Sequence, residues 1–111
     1  PGSADRAAPR SGTVAELASK GVRFVITTGT NAAALPLIHE AMFAVRFGLD
    51  KSQALDAITI EPAKLLGLSD RIGSLAPGKD ADFVIWSQHP FDPAAVAESV
   101  LVNGLSVSQT R

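Results

Sequence analysis

The sequence predicts an α/β fold in which a helix-strand-helix portion is followed by a β-rich tail, and three observations carry that prediction. First, a helical stripe at residues 11–20 passes through Gly21 into the run Val22-Arg23-Phe24-Val25-Ile26-Thr27-Thr28. Helix, glycine and apolar strand in that order make an α/β unit. Second, helical periodicity returns between residues 35 and 66, punctuated by Gly48 and stopped by Gly67. Third, beyond Leu68 the chain turns to Pro-Gly and Asn-Gly signals between short apolar runs. The 111 residues thus divide into a lead-in at 1–11, helix-strand-helix elements at 12–68 and a β-rich segment at 69–111.

Taken in order, Pro1-Gly2-Ser3 reads as the remnant of a cleaved tag and is set aside, leaving a short lead-in without a period. Val14, Leu17 and Ala18 stand at i, i+3, i+4, with Ser11 or Thr13 available as the N-cap. The β-branched and aromatic run 22–28 is expected to be a strand, and its continuous apolar centre is typical of a parallel strand buried on both faces. A second helix is expected from about Leu35 to Phe47, with Leu35, Ile38, Met42 and Val45 as its stripe. Asp50 then caps a third helix, with Gln53 placed as in a capping box. Thr59 caps a short fourth helix that tolerates Pro62 in its first turn.

In the tail, Ile72–Leu75 is expected to be extended, Pro77-Gly78 a turn and Phe83–Trp86 a buried strand. His89–Pro93 reads as a loop and Ala94–Glu98 as a turn of helix. Val100–Val102 and Leu105–Val107 flank Asn103-Gly104, the strongest short hairpin signal.

Composition narrows the function classes. Ten basic against eleven acidic residues give a net charge of −1, leaving no excess to neutralise phosphates or an anionic membrane surface. Aromatics make up 5% of the chain and Tyr is absent, which argues against base-stacking platforms. Neither nucleic acid nor membrane is expected as a partner. With no cysteine there is no disulfide framework, thiolate metal site or cysteine nucleophile. No apolar run approaches a membrane span and no signal-peptide pattern is present at the start. The compartment is left open by these observations, with a cytoplasmic location as the expectation.

The run Ile72-Gly73-Ser74-Leu75-Ala76-Pro77-Gly78-Lys79-Asp80-Ala81-Asp82-Phe83-Val84-Ile85-Trp86 resembles the C-terminal signature of the amidohydrolase superfamily. The nearest flavour is the imidazolonepropionase, Xaa-Pro dipeptidase-like and dihydroorotase-hydantoinase branch. Upstream, Thr59, Pro62, Ala63, Leu66 and Gly67 stand where that family's helical segment expects them, and Val100–Gly104 resembles its closing hairpin. The resemblance implies that this is an α/β fragment. It would comprise the last βα elements of a (β/α)8 barrel and the C-terminal strands of a small composite β-sandwich. Within the signature, Gly73, Pro77, Gly78, Lys79, Asp80 and Asp82 read as structural, shaping and hydrogen-bonding a turn.

The resemblance also implies a chemistry. Members activate water on one or two divalent metals, zinc or another. Their ligands are an early His-x-His, a Lys or Glu, later histidines, and an Asp after the last strand. This chain has two histidines, His39 and His89, and no His-x-His. Aligning Gly21-Val22-Arg23 with the family's last strand puts Gly29 at the expected Asp, and no Asp lies between Asp5 and Asp50. The nearby Thr28, Thr30 and Asn31 offer neutral oxygens, which do not replace a carboxylate that binds metal and accepts a proton. They are weak anion-binding candidates through backbone N–H groups at a strand-to-helix junction, with plain helix capping as the alternative. His39 reads as a structural or surface residue, His89 as a solvated loop residue, and Glu40 and Arg46 as a solvated helix face.

The expectation is therefore the C-terminal portion of an amidohydrolase-like hydrolase of amide or C–N bonds, inactive as an isolated chain and without a cofactor of its own. The competing expectation is a non-catalytic binding or assembly module. It would form a homo-oligomer through the uncovered run 22–28 and apolar helix faces, or pair with an active subunit or the missing N-terminal region. A complete site assembled across chains is a third reading.

Overall fold

The computed structural model describes residues 11–28 and 36–109. Four helices, α1 (Ser11–Ser19), α2 (Leu37–Arg46), α3 (Lys51–Ala57) and α4 (Ile60–Leu65), precede three strands, β1 (Phe83–Trp86), β2 (Ala97–Val102) and β3 (Leu105–Gln109). The lead-in before Ser11, together with Gly29, Thr30, Asn31 and Leu35, lies outside the described residues.

Local chemistry explains where the helices begin and end. Asp50 caps α3, its Oδ2 accepting the N–H groups of Ser52 at 3.0 Å and Gln53 at 3.4 Å. Thr59 stands at the N-cap position of α4 as expected, but its side chain makes no capping bond. Its Oγ1 donates instead to the Leu55 carbonyl at 2.7 Å, because α3 ends only two residues earlier and offers that acceptor one turn back. Thr13 lies inside α1, so it is not an N-cap. Three helices close with the same paired bonds: Val22 N–H to Leu17 and Gly21 to Ala18, Leu49 to Ala44 and Gly48 to Val45, Leu68 to Ala63 and Gly67 to Lys64. This is the Schellman arrangement.

The core is small and built on alanine. Ala41, Ala44, Leu49, Ala54 and Phe91 form one buried cluster, and Val14, Ala15, Ala18, Phe24, Ile26, Ile38, Met42, Val45 and Ile58 pack around it. Alanine at the contacts lets α2 and α3 approach closely. Phe91, from the loop between β1 and β2, is the one residue of the β-rich segment in this set.

The expected strand at Val22–Thr28 is not formed among the described residues. A strand exists only against a neighbour that exchanges backbone bonds with it. Here Val22 N–H goes to Leu17 and Ile26 N–H to Ala57, both helical carbonyls. Phe24 and Ile26 nevertheless pack on the core.

The tail forms an antiparallel sheet in the order β1-β2-β3. Phe83 faces Leu101 and Val84 faces Val100, with an irregularity between Ile85 and Trp86. Val102 faces Leu105 across the Asn103-Gly104 turn. Both turn residues have positive φ, 53° and 78°, as a type I′ hairpin turn requires. Three expectations are corrected here. The strand β1 is less buried than its sequence suggests, since Val84 and Ile85 are both exposed. Successive residues point to opposite faces, so neither face of this narrow sheet is fully covered. Residues 72–74 bend rather than extend, because the N–H groups of Arg71 and Ile72 both close on the Leu68 carbonyl. Ala94–Glu98 holds no helix. Asp92 closes a tight turn by accepting the Ala94 N–H at 2.8 Å, and β2 starts at Ala97 to pair with Trp86.

Candidate functional site

Two places bring together chemistry-bearing residues, and the first is the signature loop. Pro77 and Gly78 occupy the middle of a turn closed by Lys79 N–H on the Ala76 carbonyl at 3.1 Å. Lys79 Nζ donates to Ser74 Oγ at 2.7 Å across that turn. Asp80 is tied to Arg71 twice, by its N–H to the Arg71 carbonyl at 2.8 Å and by its carboxylate to the guanidinium at 3.4 Å. Asp82 Oδ1 accepts the Asn103 N–H at 2.8 Å, while Gly104 N–H donates to the Ala81 carbonyl at 2.8 Å. The two carboxylates thus spend acceptor capacity on local backbone and on one arginine. Gly73, at φ 98°, lies so close to α4 that a Cβ there would meet Ala63 Cβ at 2.8 Å and Ile60 Cα at 3.1 Å.

The second place is an open cleft of about 540 Å³ beside residues 23–25, lined by Arg23, Phe24, Val25, Glu61, Lys64 and Leu65. Arg23 donates through Nε at 3.2 Å and Nη2 at 3.0 Å to Glu61 Oε1, and Lys64 Nζ lies 3.9 Å from Glu61 Oε2. Sequence reasoning missed this cluster. The spacing of Glu61 and Lys64 along α4 was visible, but nothing in the sequence connects them to Arg23, 38 residues away. Arg23 and Lys64 are well exposed, so the pairs are worth little energetically.

The other sequence candidates are dispersed. Thr28 is half-buried at the end of the 22–28 run, whereas Thr30, Asn31 and Gly29 lie outside the described residues. His39 is exposed on α2, Arg46 is exposed near its end, and Glu40 is half-buried rather than fully solvated. His89 is exposed in the loop after β1. Its Nδ1 accepts the Phe91 N–H at 3.1 Å and its ring lies 5.2 Å from the Phe91 ring. Among the described residues no three His, Cys, Asp or Glu side chains gather into a group that could hold a metal ion. No helix among them is long and apolar enough to cross a membrane.

Comparison with known proteins places this architecture. The sequence pattern of the amidohydrolase family matches residues 2–107. The imidazolonepropionase of Hahella chejuensis is 39% identical over 74 residues, which is 62% of this chain and 18% of that protein. An amidohydrolase from Thermotoga maritima superposes with a TM-score of 0.81 at 41% identity, over 90% of this chain and 26% of its own. A Xaa-Pro dipeptidase solved with methionine in its active site superposes with a TM-score of 0.71 at 28% identity, over 87% of this chain and 25% of its own. The chain spans about a fifth of the length of the curated relatives it matches. With a match running through nearly all its residues, this chain belongs to the amidohydrolase family.

Proposed function

We propose that the chain is the C-terminal portion of a metal-dependent hydrolase of amide or other C–N bonds, and that it does not catalyse hydrolysis by itself. The observation that carries this reading is one of extent. The family match fills this chain, yet the same stretch is about a quarter of each solved relative. Residues 12–68 then correspond to the last βα elements of a barrel, and the three-stranded sheet to one share of a small β-sandwich. The metal such a hydrolase uses would activate water, but the residues present do not fit a metal centre. Two histidines stand 50 positions apart in sequence, Gly29 occupies the position of the expected carboxylate, and the signature aspartates are engaged with local partners. No step is assigned to this chain's own side chains.

The test is an assay of the purified chain, with Zn²⁺ or Mn²⁺ added, against a panel of acyl-dipeptides and cyclic amides. No turnover above the metal-only rate is expected. Metal-dependent turnover that follows the protein through purification contradicts the reading.

A second reading, a non-catalytic module that self-associates, is favoured by one observation. Large apolar side chains are unusually exposed, Leu65, Leu66, Leu75 and Leu105 each to about 70% (74%, 71%, 69% and 70%) and Phe43 and Phe47 to 46%. Where such side chains form a contiguous patch, the surface marks an interaction site.

A further inference from the structure

We propose that Asn103-Gly104 is a site of spontaneous covalent modification, where the asparagine deamidates to isoaspartate or aspartate when the β2-β3 hairpin opens and is protected while the hairpin is closed. The proposal is independent of the hydrolase and self-association readings. Its chemistry needs only this dipeptide and water. The backbone nitrogen of Gly104, once deprotonated, attacks the Asn103 side-chain carbon Cγ. The new C–N bond closes a succinimide ring. The Cγ–Nδ2 bond breaks, and ammonia leaves with the proton that the backbone nitrogen gave up. Water then adds to one of the two ring carbonyls and opens the ring, giving isoaspartate or aspartate.

Two features select this asparagine. Gly104 carries no Cβ to shield its nitrogen from the approaching side chain, and both residues of the turn are exposed to water. The chain's other asparagine, Asn31, is followed by Ala32, whose Cβ hinders the same attack.

The protection comes from the bonds that hold the turn. Gly104 N–H, whose proton the attack must remove, donates to the Ala81 carbonyl at 2.8 Å. Asn103 N–H donates to Asp82 Oδ1, also at 2.8 Å. Deprotonating the Gly104 nitrogen forfeits the first bond, and turning that nitrogen onto Cγ takes the peptide away from Ala81. Ring closure therefore needs a local opening of the hairpin, and its rate follows the population of the open state. Both acceptors belong to the signature loop, so that loop sets how often the site opens. The product acts back on the fold. Isoaspartate routes the main chain through the side chain, adding a carbon to the tight turn that joins the facing residues Val102 and Leu105. The lengthened turn no longer has type I′ geometry, and the hairpin loses its register on the signature loop.

Incubation of the chain in mildly alkaline buffer, with and without urea, tests the proposal when followed by peptide mass mapping and isoaspartate detection. Trypsin separates the two asparagines, since Asn31 lies between Arg23 and Arg46 and Asn103 between Lys79 and Arg111. Conversion is expected at Asn103 ahead of Asn31, and faster in urea than in native buffer by about tenfold or more. Asp82→Ala withdraws one acceptor. It is expected to speed conversion in native buffer about fivefold and to leave the rate in urea unchanged. Asn103→Gly keeps residues suited to the same turn and is expected to abolish the mass gain in that peptide. Equal rates at Asn103 with and without urea overturn the protection. That comparison uses the unaltered chain, so it decides even where Asp82→Ala fails to fold. A folded Asp82→Ala chain that converts no faster overturns the part given to the signature loop. Conversion in urea at Asn31 but not at Asn103 overturns the site itself.

Discussion

Gly73 is where the signature's residue types and the fold meet most tightly. Its φ of 98° belongs to the region L side chains rarely adopt, and a Cβ would sit 2.8 Å from Ala63 Cβ. Either condition alone favours glycine. Together they make the residue a weld between the signature loop and α4. Gly73→Ala is expected to cost about 3 kcal/mol, from strain and overpacking combined, read as a lowered midpoint in urea or thermal unfolding. An unchanged midpoint would mean the loop does not pack on α4 in solution. The aspartates nearby are explained at the same scale. Asp80 and Asp82 sit two residues apart and look like a catalytic pair, but one holds Arg71 and the other the Asn103 amide.

Elements differ in how much of themselves the sequence reveals, and the difference is physical. The β2-β3 hairpin was legible because its turn demands positive φ at two residues and Asn-Gly meets that demand locally. Helix α3 was legible through Asp50, whose capping needs only the next turn of backbone. The run 22–28 has a strand's composition without forming one, because its apolar pattern reports the burial it suits, while pairing depends on neighbours the pattern does not encode. Thr59 takes its N-cap position, but its hydroxyl can either accept from the next turn's N–H or donate back to the Leu55 carbonyl, and the sequence does not rank the two. The Arg23-Glu61 contact joins residues 38 apart and had no local signal. At this scale Asp82→Ala is expected to loosen the hairpin rather than the helices. It removes the acceptor for Asn103 N–H, at a cost of about 1 kcal/mol. Faster amide exchange at Asn103 and across β2-β3, with α2 and α3 unchanged, would show it. Equal loss of protection everywhere would contradict the local role.

At the scale of the whole molecule, Gly73 against α4 and Phe91 in the cluster of Ala41, Ala44, Leu49 and Ala54 both join the β-rich segment to the helices among the described residues. The core they complete is small, and much apolar surface stays in water. That balance fits a piece of a larger amidohydrolase scaffold. The central claim is that the metal chemistry of the family lies outside this chain's own residues. The most direct measurement is the zinc content of the purified chain after exposure to zinc and exhaustive dialysis. Zinc well below one ion per chain is the expected result. One tightly held zinc per chain, retained through dialysis, would contradict the account.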